Sequence, residues 1–199
     1  MHKIVLASNN PGKIHEISHY LSPFGVELIN QAVLGIPETG EPARTFVENA
    51  LIKARNAALH SGKPALADDS GLCVDVLGGA PGVFSARFAG EPKSDSANNL
   101  KLLSLLSGRS DRQAHYYCVM VYVRHADDPA PVVVEGSWHG EIAPEPRGER
   151  GFGYDPVFYL PDYDQTAGQL DLEEKNRVSH RAKALEALIS RLHDEWNGH

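Results

Sequence analysis

The sequence predicts an α/β fold with a mixed central sheet, and two patterns carry that expectation. Short apolar runs with strand character alternate with capped, amphipathic stretches through the first half of the chain, the order that gives parallel strands joined by helices. A long β-branched and aromatic run, Gln113 to Arg124, is followed by a second, Val132 to Trp138, with Asp128-Pro129 in the loop between them. That is the pattern of an antiparallel hairpin. A sheet that takes both kinds of strand is mixed.

The elements follow in order. Lys3 to Ala7 is a buried strand. Asn10 is a good N-cap with Pro11 at the first helical position, which predicts a helix to about Leu21. Val26 to Asn30 is a short strand. Thr45 caps a second helix, Phe46 to about His60, with Glu48 placed for a mixed capping box and Gly62 ending it. Ala65 to Ala67 and Leu72 to Val76 are predicted as two strands, Ala97 to Leu106 as an amphipathic helix, and His180 to Trp196 as a last helix capped by Ser179.

A chain of 199 residues with 42 % hydrophobic and 23 % charged residues fits one soluble domain, residues 1–199, with a sizeable core. The N-terminus lacks the apolar core of a signal peptide and no stretch approaches membrane-spanning length, so the expectation is a cytoplasmic protein with no membrane partner. Cys73 and Cys118 lie far apart in apolar runs and read as reduced, packed thiols. A net charge of -7 argues against a nucleic-acid partner, while a few local cations could still hold a small phosphorylated ligand. The histidines are read as forming no zinc site.

Four segments carry candidate chemistry. In Ala67-Asp68-Asp69-Ser70-Gly71-Leu72, strand alternation sends the two carboxylates to different faces before a Ser70-Gly71 turn breaks the ladder. One can then hold a metal or activate a water while the other fixes nearby structure; a solvated turn is the plain alternative. The loop Ser8-Asn9-Asn10-Pro11-Gly12-Lys13 follows a strand and opens a helix, where free N–H groups, the helix dipole and the Lys13 ammonium suit an anion. It is not a P-loop, since Ile14 stands where Ser or Thr belongs, and a well-capped helix start explains it equally. On the second helix Thr45, Asn49 and Lys53 share a polar face, and the upstream acids Glu38 and Glu41 could join Asp69 around a hard cation such as Mg²⁺. Finally, Gly151-Phe152-Gly153-Tyr154-Asp155-Pro156 offers an aromatic face beside a carboxylate, fit either to stack on a planar base or to pack a tight turn. Lys175 and Ser179-His180-Arg181 add donors downstream.

Together these segments resemble the Ham1/RdgB-type inosine triphosphate pyrophosphatases. The matching residues are Ser8-x-Asn10-x-x-Lys13, Thr45-Phe46-x-Glu48-Asn49-Ala50 with Lys53, Ala67 to Leu72, Gly79-Ala80-Pro81-Gly82, Ser85-Ala86-Arg87, Gly151 to Pro156, Lys175 and Ser179-His180-Arg181, collinear over residues 3 to 190. The resemblance implies an elongated two-lobed α/β fold with a long central mixed sheet flanked by helices, a substrate cleft between lobes, Mg²⁺ dependence and a homodimer. It also implies hydrolysis of non-canonical purine nucleoside triphosphates, such as inosine and xanthosine triphosphates, to the monophosphate and pyrophosphate. One departure concerns the metal-side acid. Relatives carry Glu-Thr-Gly close before Thr-Phe, whereas here Glu38-Thr39-Gly40 stands further upstream. Matching the tripeptide selects Glu38 and counting back from Thr45-Phe46 selects Glu41, which is preferred because it keeps the spacing to the helix.

On this resemblance Asp69 is the proton acceptor and, with Glu41, the Mg²⁺ ligand. Ser8 to Lys13, Lys53, Ser70 and Lys175 serve the triphosphate, and Phe152, Gly153, Tyr154, Asp155, His180 and Arg181 serve the base. A 6-keto purine would accept the donors of His180 and Arg181, and a 6-amino purine would face them with another donor. A Maf-like pyrophosphatase for pyrimidine or modified nucleotides is one alternative. A nucleotide-sensing module without turnover is another, disfavoured because binding alone needs no water-activating acid.

Overall fold

The computed structural model describes residues 2–196. Seven strands and five α-helices run in the order β1 (His2–Leu6), α1 (Pro11–Leu21), β2 (Val26–Asn30), α2 (Phe46–Ser61), β3 (Ala65–Val74), α3 (Asp95–Leu105), β4 (Gln113–Val123), β5 (Val132–Ile142), β6 (Phe158–Leu160), β7 (Gln165–Thr166), α4 (Leu172–Val178) and α5 (His180–Trp196). They form one sheet, ordered β2-β1-β3-β4-β5-β6-β7, flanked by helices. β1 pairs in parallel with β2, His2 opposite Val26 through Leu6 opposite Asn30, and in parallel with β3, Val5 opposite Ala65. Each parallel pair needs a crossover, which α1 and α2 supply. β5–β6 and β6–β7 are antiparallel. β4 and β5 are neighbours joined by residues 124–131, too short a link for a parallel crossover, so the expected hairpin forms.

Local chemistry explains the helix starts. The Asn10 side chain accepts the N–H groups of Gly12 and Lys13, with Pro11 beside it. On α2, Thr45 Oγ1 accepts the Glu48 N–H, and Gly62 ends the helix at φ 62°. The Glu48 carboxylate takes the Thr45 hydroxyl, at 2.5 Å, where a full capping box would have it on the cap N–H.

The first segment of interest differs from its prediction. Residues 65–74 are one unbroken strand; there is no turn at Ser70-Gly71. β1 meets β3 only at Ala65 and Leu66; beyond them β4 is the strand neighbour and Ser85 Oγ takes the Leu72 N–H at 2.9 Å, so bonds from elsewhere in the chain outweigh the turn preference of a Ser-Gly pair. The alternation argument therefore holds through both aspartates without interruption.

The chain divides into two compact units, and the division falls within β3, β4 and β5. The first comprises residues 1–69, 118–136 and 181–199. Its core joins Ile4, Leu6, Ile17, Leu21, Leu66, Met120, Leu185, Leu188 and Leu192, with the α5 residues at the i, i+3, i+7 spacing of one helix face. The second comprises residues 70–117 and 137–180 and is built on Leu72, Leu102, Tyr116, Trp138, Ile142, Phe158 and Leu160. Among the described residues no helix is long and apolar enough to cross a membrane.

Candidate active site

In the first unit the two adjacent aspartates have opposite surroundings. Asp68 is 1 % exposed; its Oδ2 accepts from Lys13 Nζ at 2.7 Å and lies 3.8 Å from Arg181 Nε. Burial alone would raise this carboxyl, but Lys13, then Arg181 and Lys53, hold it well below the usual carboxylate range. Asp69 is 5 % exposed, with Oδ1 on Lys53 Nζ at 3.1 Å and Oδ2 on Asn49 Nδ2 at 3.3 Å. Here burial prevails: the Asp69 carboxyl is raised, with Glu41 adding to the rise and Lys53 and Lys13 opposing it. The neighbouring acids are pushed in opposite directions, Asp68 held as a charge and Asp69 favoured in its protonated form.

Lys53 Nζ also meets Glu41 Oε1 at 3.2 Å, so one ammonium spans Glu41 and Asp69. Burial would lower the Lys53 ammonium, but Asp69, Asp68 and Glu41 together raise it. Glu38 is exposed. Asp69 and Glu41 fit a hard cation: two carboxylates already face one positive charge, and Mg²⁺ takes one or two carboxylates and completes its shell with water and substrate phosphates.

The start of α1 is the well-capped helix start that the sequence offered as one reading of this loop. Asn10 Oδ1 takes the N–H groups of Gly12 and Lys13, Asn10 O takes that of Ile14, and Pro11 has none. Asn10 N itself donates to Ser8 Oγ, and Asn9 Oδ1 accepts from Gln31. The N–H groups of the helix start are thus engaged by its cap. Lys13 remains as the cation of this loop, seated on Asp68.

In the second unit the glycine-rich loop is organised by Asp155. Its Oδ2 accepts from Lys175 Nζ at 2.6 Å and Phe152 N at 2.8 Å, and its Oδ1 accepts from the Tyr116 hydroxyl at 3.2 Å. The Lys175 ammonium lies 4.7 Å from the centre of the half-buried Phe152 ring, a cation–π contact. Tyr154 is buried, its hydroxyl donating to Ser85 O, and Gly153 is held through its N–H by Asp95 and through its carbonyl by Asn99. Ser70 is half-buried in β3. His180 is buried with its ring stacked on Tyr116, centroids 4.7 Å apart and planes at 9°.

Three candidates have partners within the protein. Tyr154 and Asp155 are supports inside the loop. Arg181, 2 % exposed, is ion-paired with Glu16 and directed at Asp68.

Gly151 has φ 78°, and a Cβ there would overlap the Asp155 carboxylate. Gly151→Ala is expected to displace Asp155 and to cost about 1–3 kcal/mol from left-handed strain alone. That is a fall in melting temperature of several degrees in a chain of this size. A melting curve within a degree of wild type would show that the loop tolerates the displacement.

These two clusters can be set beside known proteins. A sequence model of the Ham1 family matches residues 4–191. The chain belongs to the Ham1 family. It is 60 % identical over 192 residues to the dITP/XTP pyrophosphatase of Nitrosomonas europaea, covering 96 % of this chain and 95 % of that one. It is also 60 % identical over 195 residues to the protein of the same name from Ralstonia nicotianae, covering 96 % and 97 %. Among solved structures it is similar to a HAM1 protein from Coxiella burnetii, with a TM-score of 0.92 and 48 % identity over 97 % of this chain and 99 % of that one.

Three features of this Ham1 chain escaped the sequence reading. Glu16 and Tyr116 each hold a candidate residue, and only the three-dimensional contacts reveal them. The third was legible: His15-Glu16-Ile17-Ser18-His19 is an HExxH string, which the expectation of no zinc spacing passed over. It does not form a metalloprotease centre. His15 and His19 are exposed, with ring centroids 6.5 Å apart, while Glu16 is buried on Arg181. As for the thiols, Cys118 is buried, and burial, then the charge of Asp68, pushes it up to about 12.

Proposed function

We propose that the chain is a nucleoside-triphosphate pyrophosphatase acting on deaminated purine nucleotides such as dITP and XTP, releasing the monophosphate and pyrophosphate. The observation that carries this proposal is the raised, buried Asp69 sharing Lys53 with Glu41, in a chain similar along nearly its whole length to proteins named dITP/XTP pyrophosphatase.

Asp69 accepts the proton of the attacking water. Its raised carboxyl makes it a stronger base than an ordinary aspartate, and Asn49 and Lys53 fix its two oxygens. Lys53 and Lys13 supply positive charge to the triphosphate, since phosphoryl transfer is mostly positioning and charge stabilisation. Asp69 and Glu41 would hold Mg²⁺, which would neutralise triphosphate charge when bound. Asp68 holds Lys13 and faces Arg181, so that Asp68 and Arg181 support the cluster. Phe152 stacks on the purine. His180, held flat against Tyr116, donates to a 6-keto oxygen, and a 6-amino purine would present it with another donor.

The bond broken tests the proposal. Hydrolysis in ¹⁸O-water is expected to place the label in the nucleoside monophosphate and none in pyrophosphate, with inosine and xanthosine triphosphates turned over far faster than adenosine triphosphate. Stepwise release of orthophosphate would make the protein an ordinary triphosphatase, and preference for pyrimidine nucleotides would move it to the Maf-like class.

A further inference from the structure

A second group of metal-ligating side chains lies in the second unit, apart from Asp69 and Glu41. His115 on β4 and His139 on β5 belong to neighbouring strands, with ring centroids 5.3 Å apart and planes at 32°. Asp75, which directly follows β3, places Oδ1 3.7 Å from His115 Nδ1. We propose that His115, His139 and Asp75 form a site for a divalent transition-metal ion of the Zn²⁺ class.

The distances carry the proposal. A zinc–imidazole bond of about 2.0–2.1 Å, with the ring centre roughly 1.2 Å beyond the nitrogen, sets two imidazoles on one tetrahedral ion with centroids about 5 Å apart. The observed 5.3 Å matches that separation. Two ligand atoms on the same ion lie roughly 3.3–3.4 Å apart on the same bond lengths. The 3.7 Å between Nδ1 and Oδ1 is too long for a hydrogen bond but within a small side-chain rotation of sharing an ion. The helical pair His15 and His19 fails the same test: at 6.5 Å an ion between the rings would have its two nitrogens on opposite sides.

Among the described residues no three such side chains are already gathered around one point, so Asp75 has to swing. Its side chain is 60 % exposed and that of His115 is 30 % exposed, which leaves room for the rotation and a path from solvent. Two imidazoles and one carboxylate give three protein ligands with a fourth position for water. Imidazole suits zinc, copper, nickel and cobalt and does not suit magnesium. This site and the all-carboxylate pair therefore select different ions by ligand chemistry alone.

The test follows imidazole ¹H–¹⁵N resonances of the full-length wild-type protein during titration with ZnCl₂ under saturating Mg²⁺, with resonances assigned through H115Q and H139Q. The His115 and His139 signals are expected to move together and saturate near one equivalent, with those of His15 and His19 still unmoved. Zinc affinity, measured by chelator competition, is expected to weaken at least about tenfold in H115Q and in H139Q, the scale on which even supporting groups of a metal site act. It should weaken several-fold in D75N. Unmoved His115 and His139 signals, movement at His15 and His19 in their place, or unchanged affinity in D75N would each overturn the three-ligand site. If either histidine variant fails to fold, resonances assigned from sequential connectivities in the wild-type protein and the D75N affinity still decide.

Discussion

Asp69→Asn is expected to lower kcat by about 10²–10⁴-fold, the span that a positioned general base contributes, while leaving the protein folded. The reason lies in the direction in which burial pushes this carboxyl. Asp69 is raised, so the folded chain favours its protonated form, and its ionisation at neutral pH works against stability. For an acid raised on folding, stability is greater below the unfolded value and decreases as pH climbs through the folded one. A neutral amide removes that penalty, so the melting temperature of D69N at neutral pH should equal or exceed that of wild type. Activity has the opposite sign. The base works only when ionised, so the acid limb of kcat/KM should lie above the ordinary value of 3.8. Lys53 is the strongest influence holding Asp69 down, and Lys53→Met should move that limb to higher pH as well as weaken substrate binding. A D69N protein retaining more than about a tenth of wild-type kcat would remove Asp69 as the base.

Much of this arrangement was legible in the sequence, and what was not has identifiable causes. Helix starts depend on one or two neighbouring residues, so Asn10-Pro11 and Thr45 with Gly62 located α1 and α2 almost to the residue. α4 carried the same kind of signal and was overlooked: Asp171 Oδ1 accepts the Glu174 N–H, a cap written in Asp171-Leu172-Glu173-Glu174. β3 failed for a different reason. Ser70-Gly71 has a local preference for a turn, and β4 and the Ser85 hydroxyl, both distant in sequence, override it. The opposite facing of Asp68 and Asp69 followed from strand alternation, but which of them would be the fixed charge depended on Lys13 and Arg181 converging from α1 and α5. Arg181 shows the limit most clearly. Next to a helix start it has the donors to read a base, and its ion pair with Glu16, distant in sequence, was not legible. Tyr116 was visible merely as part of an aromatic strand; its hydroxyl on Asp155 and its ring on His180 give it a place in the second cluster.

Asp68→Asn is expected to produce the largest loss of stability in the first unit. Asp68 is almost fully buried, and its negative charge balances Lys13 at 2.7 Å and the buried Arg181. Removing one partner of a buried pair leaves an uncompensated charge behind, which costs about 3–5 kcal/mol. For a chain of this length that is roughly a 6–20 °C fall in melting temperature. The pH dependence has a definite sign. Asp68 is lowered in the folded state, so its contribution is fully present above the unfolded carboxylate value of about 3.9 and is lost as pH falls toward the folded value. The stability gap between wild type and D68N should therefore be widest at neutral pH and narrow steadily below about pH 4. The double variant D68N/K13M distinguishes pairing from simple loss of a hydrogen-bond acceptor. With the Lys13 charge also gone, one uncompensated ion disappears, and the double variant should recover a measurable part of the D68N loss when the two are compared in a double-mutant cycle. Activity should not recover with it, because in the proposed reaction Lys13 serves the triphosphate. A D68N protein melting within about 2 °C of wild type, or a double variant whose losses simply add, would mean that Arg181 and Lys13 are satisfied without Asp68. The two neighbouring carboxylates would then not divide into a structural and a catalytic member.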